Sequence, residues 1–416
     1  MKARREAPSA QAPASPPATA PESPVFGWDV GGAHVKVSVA ARSGALADVA
    51  QWACPLWQGL AHLERAIDLV FERWPAAREA GARHAITMTG EMVDLFPSRA
   101  EGVRALTRTL AQRLGPRTLF FAGAAGWLAR SACADGWRKV ASANWLATAQ
   151  WVATRMPECV LVDIGSTTTD IIPVVEGRVA ARGSNDAARL ASGELVYQGV
   201  VRTPLCGIAH RIAFRGETTG VMNEWFATSA DVYRLTGELW ARHDQHPSAD
   251  NGPKTEAASR ERLARMIGRD AADASDADWR RFAQTWRSEQ LRTIGANLAR
   301  VCAVHPSLAT APLVGAGCGR FLAAALARQD ARSYIDFAML AGLPRRDGEF
   351  AEWVATCAPS VAVALLAASA AAPEVVPDAK DQAVSAAGPG EAERGRAGAS
   401  PEAHVTQRGI AADQPQ

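Results

Sequence analysis

The sequence predicts an α/β fold of two lobes, and three observations lead to this prediction. The chain has 416 residues, which is more than one hydrophobic core usually fills. Two segments, 25–40 and 160–175, repeat one pattern: an apolar strand, an aspartate, a glycine turn and a second strand. A third segment, 311–320, reads as a strand and a glycine-rich turn that leads into an Ala/Leu-rich helix.

The first repeated segment, 25–40, predicts a hairpin whose turn binds a phosphate group. Asp29 lies at the end of the first strand, where a carboxylate is placed to hold a hydrated Mg²⁺ or to orient a nucleophile. Gly31 and Gly32 bend the chain and expose backbone N–H groups that can surround an oxyanion. Lys36 adds a point charge that suits a phosphate.

The second repeated segment, 160–175, predicts a matching hairpin. Asp163 lies at the end of its first strand, and we expect it to be the second carboxylate that takes part in catalysis and holds Mg²⁺. The turn that follows supplies phosphate-binding N–H and hydroxyl groups from Gly165, Ser166, Thr167 and Thr168. Taken alone, this stretch also fits a threonine-rich turn with capping hydroxyls. Its repetition in the first segment favours the phosphate site.

The third segment predicts close approach of a nucleotide or another ring to the backbone. Gly315, Gly317 and Gly319 alternate along the turn, which leaves room for a ring or a phosphate beside the chain.

Two further side chains are candidates for the site. Glu91 follows a buried strand at 85–89 and a glycine, so we expect it to face the crevice as a base or metal partner. A helix-initiating glutamate is the alternative. Arg202 is expected to pair with a diphosphate or a carboxylate, or else with a neighbouring acidic residue.

Helical spacing completes the expected elements. A helix over 142–155 is predicted to begin with Ser142 as its cap, and 223–242 is expected to be helical. A core-facing helix is predicted near 289–304. The Ala-rich segment 358–371 is shorter than the roughly 20 residues of a membrane-spanning helix, so we expect it to pack against the first lobe.

The three motifs together resemble the actin-like ATPase superfamily, which includes sugar kinases, heat-shock chaperones and hydantoinase/oxoprolinase proteins. Within it, the chain most resembles the short hydantoinase/oxoprolinase-type proteins of tetrahydromethanopterin-linked one-carbon transfer. Further matching stretches are Met-Thr-Gly-Glu at 88–91, Ala-Asn-Trp at 143–145, and 193–199 with 202–205. The resemblance extends over about 25–370 and implies a ribonuclease H-like fold with a central cleft.

The resemblance and the composition together suggest the domain limits. The first lobe is expected at 25–141, and the connecting helix with the second lobe at 142–330, including a polar loop at 243–256. A C-terminal packing segment follows at 331–372. The tail 1–24 is rich in Pro, Ala and Ser, and the tail 373–416 is polar with many Gly, Pro, Glu and Gln, so both are expected to be disordered.

Composition excludes some classes of function. The net charge is +2 and no basic stripe is visible, so a nucleic-acid partner is not expected. Seven cysteines without Cys-x-x-Cys pairs indicate reduced thiols in the cytoplasm. A membrane partner is also not expected. His243 and His246 in the polar loop suggest a metal site only weakly, because a third ligand is missing. A homo-oligomer stays possible.

The function implied by the resemblance is a step in making the furan cofactor of one-carbon metabolism. Such an enzyme joins an aminomethylfuran-methyl diphosphate to the phenol oxygen of a tyramine unit and releases diphosphate. Asp163 or Glu91 would accept the phenolic proton, and Mg²⁺ would assist the diphosphate. An ATP-dependent hydantoinase or oxoprolinase-like hydrolase and a nucleotide-switched binding protein are the alternatives. Whether free ATP binds is left open.

Overall fold

The computed structural model describes residues 24–343 and 348–369. The tails expected at 1–24 and 373–416 lie outside these ranges, apart from Pro24. The strands are β1 Val25–Val30, β2 His34–Ala40, β3 Leu46–Ala53, β4 Arg83–Met88, β5 Thr118–Phe121, β6 Trp127–Leu128, β7 Cys159–Ile164, β8 Thr169–Val175, β9 Arg178–Val179, β10 Leu195–Val196, β11 Arg211–Phe214, β12 Glu217–Gly220, β13 Leu313–Ala316 and β14 Tyr334–Asp336.

Helices cover the sheets. They are α1 Ala61–Arg73, α2 Arg99–Leu114, α3 Arg130–Cys133, α4 Trp137–Val140, α5 Asn144–Ala153, α6 Asp186–Ser192, α7 Ser229–Thr236, α8 Glu256–Arg265, α9 Asp276–Cys302, α10 Arg320–Gln329, α11 Phe337–Leu340, α12 Glu349–Thr356 and α13 Ala358–Ser369.

The two large sheets share one plan. The first has the strand order β3-β2-β1-β4-β5-β6, and the second has the order β10-β8-β7-β13-β14. In each, a central strand (β1 or β7) pairs antiparallel with the next strand and parallel with a later one (β4 or β13). This duplicated arrangement confirms the predicted two-lobed, actin-like α/β fold. The lobe limits at 141 and 330 stay predictions.

The central strands are hydrophobic because both faces are covered. Every residue of β1 and of β7 is buried. Helix α13 packs directly on β1, since a Cβ on Gly27 would lie 2.0 Å from the Ser360 carbonyl oxygen. The hydroxyls of Ser38 and Ser360 also share a 2.6 Å hydrogen bond. The predicted return of the Ala-rich segment to the first lobe is therefore confirmed.

Several helix limits differ from those predicted, and local capping explains the differences. Helix α7 begins at Ser229 because Thr228 and Asp231 form a capping box, and it ends at the left-handed Gly237. The expected helix over 223–242 is thus wrong at both ends. Helix α9 begins at Asp276, well before 289, because Ser275 and Asp278 form another capping box.

The prediction that Ser142 caps a helix is also wrong. Helix α5 begins at Asn144, and Ser142 has φ 51°. Its hydroxyl donates instead to Oε1 of Glu91 at 2.7 Å.

In the part of the chain that the structure describes, no single helix has the length and hydropathy to cross a membrane. Helices α12 and α13 meet that criterion only as a pair, and they are bent by 84°. Most of their residues are buried inside the protein, as expected for helices of a protein core.

Candidate functional site

One cavity of about 640 Å³ brings the two repeated turns together. Its volume is within the range of small-molecule sites. The predicted site residues on its wall are Asp29, Gly31, Gly32, Lys36, Asp163, Gly165, Ser166, Thr167, Thr168 and Arg202. The shared plan of the two sheets explains this convergence, because each turn follows the central strand of its own lobe.

The first turn neutralises its own carboxylate. Strand pairing places Lys36 opposite Asp29, and the Lys36 Nζ lies 3.7 Å from the Asp29 Oδ2. Burial raises the pKa of Asp29, and Lys36 partly offsets this effect. Burial opposes the charge of Lys36, but the nearby acidic groups, with Asp29 first among them and Asp163 also contributing, together outweigh it and raise the pKa of Lys36.

The second turn is tightly built. The N–H of Gly165 donates to the Thr168 carbonyl at 2.8 Å, and the Ser166 carbonyl accepts from the N–H of Arg202 at 2.8 Å. A Cβ on Gly199 would lie 2.4 Å from the backbone N of Thr167. Residue 199 must therefore be glycine for the backbone to support the turn this closely.

The second turn places two carboxylates opposite each other. Strand pairing aligns Asp163 with Asp170, a like-charge pair that destabilises a hairpin. Burial, and then the charge of Asp170, raise the pKa of Asp163 to about 7. Among the described residues no side chain or backbone group donates a hydrogen bond to the Asp163 carboxylate.

Asp170 has a cation of its own that sequence reasoning missed. Arg189 on α6 is buried, and its Nη2 lies 2.6 Å from the Asp170 Oδ1. The Arg189 guanidinium also stacks over Trp145, at 4.0 Å from the ring centroid. Both Asp170 and Arg189 line the cavity. The symmetric position of Asp170 across the turn was a usable sequence signal; the approach of Arg189 depends on tertiary packing.

The pair of turns fits a hydrated Mg²⁺. Oδ1 of Asp29 is buried and has no hydrogen-bond partner within residues 24–343 and 348–369, so it is free to take a cation or its water. Within the same ranges, no group of three or more His, Cys, Asp or Glu side chains is arranged to hold a metal. Mg²⁺ keeps most of its waters and needs only one or two carboxylates, so Asp29 and Asp163 suit it.

Glu91 lies behind the cavity wall. It is 1% exposed and does not line the cavity, whereas Ser142, which donates to its Oε1, does. Burial raises the pKa of Glu91 to about 7, although the Ser142 hydrogen bond opposes the shift. Glu91 therefore reaches the cavity through the Ser142 hydroxyl.

The third glycine turn also lies outside the cavity lining. A Cβ on Gly317 would lie 2.6 Å from the Asp163 Oδ1, and one on Gly315 would meet the Tyr334 ring at 2.5 Å. Gly319 approaches Ile164 as closely. These glycines allow the turn to pack beneath the second hairpin, and their predicted contact with a ring stays a prediction.

The polar loop 243–256 contacts the first turn, but none of its residues lines the cavity. His246 contacts the Ala33 carbonyl at 2.9 Å, and its ring lies 4.7 Å from that of His34. His243 is buried beside Thr356. The Lys254 Nζ lies 3.1 Å from the Asp244 Oδ1, so this lysine is already paired.

Comparison with known proteins gives a family and two named relatives. The hydantoinase/oxoprolinase family model matches residues 83–339. A (4-{4-[2-(gamma-L-glutamylamino)ethyl]phenoxymethyl}furan-2-yl)methanamine synthase from Methanocaldococcus jannaschii is 28% identical over 275 residues, which are 66% of this chain and 80% of the relative. The synthase of the same name from Methanococcus vannielii is 37% identical over 109 residues, 26% of this chain and 49% of the relative.

Solved structures with similar folds are more distant. Component A of the (R)-2-hydroxyglutaryl-CoA dehydratase of Acidaminococcus fermentans is 11% identical with a TM-score of 0.40, covering 83% of this chain and 97% of its own. A ROK family glucokinase from Streptomyces griseus is 14% identical with a TM-score of 0.40, covering 82% and 98%. The family model spans more than half of the sequence. The chain therefore belongs to the hydantoinase/oxoprolinase family.

Proposed function

We propose that this protein is a transferase that joins an aminomethylfuran-methyl diphosphate to the phenol oxygen of a tyramine unit. The reaction would supply the furan cofactor of one-carbon metabolism. The names of the two relatives support this proposal, since their product contains a phenoxymethyl ether on an aminomethylfuran. The observation that carries it is the shared cavity of two acidic glycine turns, which suits a diphosphate leaving group.

The reaction balances with these two substrates alone. The bond between the furan methylene carbon and the diphosphate oxygen breaks, and the electron pair leaves with diphosphate. A bond from the phenol oxygen to the same carbon forms, and the phenolic proton passes to a base. The furan ring disperses positive charge at the methylene as the leaving group departs.

The two turns would bind the diphosphate. Backbone N–H groups of the glycines and hydroxyls of the second turn donate to its oxygens, and Lys36 supplies positive charge. Asp29 and Asp163 would hold Mg²⁺, which when bound neutralises charge that develops on the leaving diphosphate. Because these groups are fixed before the reaction, they need little reorganisation as charge develops.

A proton acceptor is available beside the turns. The Ser142 hydroxyl lines the cavity and donates to Glu91, whose pKa of about 7 suits proton transfer near neutral pH. We assign Glu91 as the base, acting through the Ser142 hydroxyl. The hydroxyl would accept the phenolic proton while it transfers its own proton to the Glu91 carboxylate. Asp163 then stays a carboxylate beside the leaving group.

The cellular setting is part of the same proposal. All seven cysteines are free thiols, and all except Cys206 are buried. Free thiols are typical of proteins in a reducing compartment, so we propose that the enzyme acts in the cytoplasm.

The test uses purified full-length protein and 5-(aminomethyl)furan-3-ylmethyl diphosphate with Mg²⁺. We expect diphosphate release only when a tyramine-type acceptor is present, with one ether formed per diphosphate, measured by ³¹P NMR and mass spectrometry. The family match favours an ATP-dependent cyclic-amide hydrolase as the second candidate. Phosphate release from ATP that is stimulated by hydantoin or 5-oxoproline, without ether formation, would support that candidate and overturn the proposal. Nucleotide binding without turnover would instead indicate a switch protein.

A further inference from the structure

Arg202 differs from the other cations on the cavity wall because it has no acidic partner. Lys36 lies 3.7 Å from Asp29, and Arg189 lies 2.6 Å from Asp170. No carboxylate in residues 24–343 or 348–369 lies within salt-bridge distance of the Arg202 guanidinium. Burial lowers its pKa, as expected for a cation held partly out of water without a counter-ion. The cavity therefore offers one unpaired positive charge to a ligand.

The guanidinium is held in a geometry that suits a carboxylate. It stacks over Trp57, at 5.2 Å from the ring centroid, and the Arg202 backbone is fixed by its hydrogen bond to Ser166. Trp57 in turn packs against His246, with ring centroids 5.7 Å apart. An arginine stacked on an aromatic face keeps its in-plane N–H groups free for two parallel hydrogen bonds to a carboxylate.

Exposed aromatic rings surround this charge. Trp57, Tyr197 and Trp225 line the cavity, yet they are 39%, 60% and 55% exposed. Tyr197 is close enough to Arg202 to affect its pKa. The segment that carries Trp225 lies beside the segment that carries Arg202. The two are joined by a hydrogen bond in which the N–H of Leu205 donates to the Ala227 carbonyl at 3.1 Å. Large aromatic side chains left open on a cavity suit an aromatic ligand.

We propose that Arg202, stacked on Trp57, binds a carboxylate carried by the phenol acceptor, while Tyr197 and Trp225 flank its ring. This inference rests on the function proposed above and adds the residues that select the acceptor, a phenol whose side chain carries a carboxylate. The relatives' product name contains such a group, a γ-glutamylamino substituent on the phenoxy side. The competing role for Arg202 is binding of the donor's diphosphate.

The experiment compares two acceptors, γ-glutamyltyramine and tyramine, at saturating furan-methyl diphosphate and Mg²⁺. The quantity measured is the ratio of kcat/KM for the two acceptors. Wild-type protein should prefer γ-glutamyltyramine. Arg202→Gln should reduce that ratio by about tenfold or more, since a charge-assisted pair is lost. Arg202→Lys should give an intermediate ratio, because lysine keeps the positive charge but lacks the two parallel N–H donors of the guanidinium.

The controls separate this inference from the function itself. Arg292→Gln, at an exposed arginine outside the cavity, should leave the ratio unchanged. If Arg202 binds diphosphate, both acceptors lose rate together, the ratio stays constant and the inference is overturned while the function stands. If wild-type protein forms no ether with either acceptor, the proposed function fails and the inference fails with it. Thermal unfolding of each variant checks that it is folded.

Discussion

The two glycine turns occupy equivalent places in the two lobes but differ in charge. In the first turn, the residue paired across the strands with Asp29 is Lys36; in the second, the residue paired with Asp163 is Asp170. The first turn is therefore close to neutral by itself, whereas the second carries the buried Asp163 and the partly buried Asp170, and its paired cation, Arg189, comes from helix α6. We therefore expect the second turn to depend more on a bound cation than the first.

The largest expected effect, a loss of kcat, comes from replacing either of the two equivalent aspartates, Asp163 and Asp29, by asparagine. Asp163→Asn should lower kcat by about 1,000-fold, because Mg²⁺ loses one of its two proposed carboxylate ligands and the charge on the leaving diphosphate is then poorly neutralised. Its unfolding free energy should stay equal or rise, since the repulsion from Asp170 is removed.

Asp29→Asn is the matched variant. It should also lower kcat, but it should destabilise the fold by about 2 kcal/mol, because Lys36 loses its buried partner. Steady-state kinetics and urea unfolding measure both effects. Equal losses of stability in the two variants would contradict the proposed difference between the turns.

Arg189 should matter most for stability. Arg189→Gln leaves the partly buried Asp170 without its ion-pair partner, so we expect a loss of about 3 kcal/mol in the free energy of unfolding. Adding Asp170→Asn should restore part of this loss, because the unpaired charge is then removed. Denaturant unfolding of the single and double variants measures the coupling energy between Arg189 and Asp170. If the losses of unfolding free energy simply add, loss of this ion pair is not the cause of the destabilisation.

Smaller effects are expected from the backbone that supports each turn. Gly199→Ala would push a methyl group to within 2.4 Å of the Thr167 backbone N and should displace the second turn, lowering kcat by about tenfold. Gly31→Ala meets its nearest atom, the His34 carbonyl oxygen, at 3.1 Å and should cost less. The comparison uses kcat together with melting temperature, and a reversed order would show that the second turn tolerates displacement.

The pH dependence of stability should be the subtlest difference. The Asp163 carboxyl has a pKa of about 7 in the folded protein against an ordinary value of 3.8, so the folded chain binds the proton more tightly than the unfolded chain. Between about pH 4 and 7 this group therefore makes stability fall as pH rises. Asp163→Asn should flatten that slope, and Mg²⁺ should do the same in wild-type protein by stabilising the ionised carboxylate. Melting temperatures of both proteins measured from pH 4 to 8 test this prediction. If the variant keeps the wild-type dependence of melting temperature on pH, another group is its cause. Glu91, with a similar pKa, contributes with the same sign.

The fold and both turns were predictable because their signals are local. Asp29 and Asp163 stand next to glycine turns between apolar strands, and that pattern by itself predicts a hairpin. The role of Ser142 was not predictable from local pattern, because its hydroxyl bonds to Glu91 across 51 residues. Arg189 was missed for the same reason, since helix α6 brings it to Asp170 only through tertiary packing.

The stacking of Arg202 on Trp57 likewise joins two lobes that are far apart in sequence. Sequence reasoning identified Arg202 as a candidate for an anion but left its partner open. Only the three-dimensional arrangement shows that its neighbours are aromatic rings and that no carboxylate of the described chain neutralises it.

The most direct test of the central claim is calorimetric titration of the protein with inorganic diphosphate in the presence of Mg²⁺. We expect one diphosphate site per chain, with affinity reduced by about tenfold or more in both Asp29→Asn and Asp163→Asn. Unchanged diphosphate affinity in both folded variants would contradict the claim that the two turns bind one shared anion.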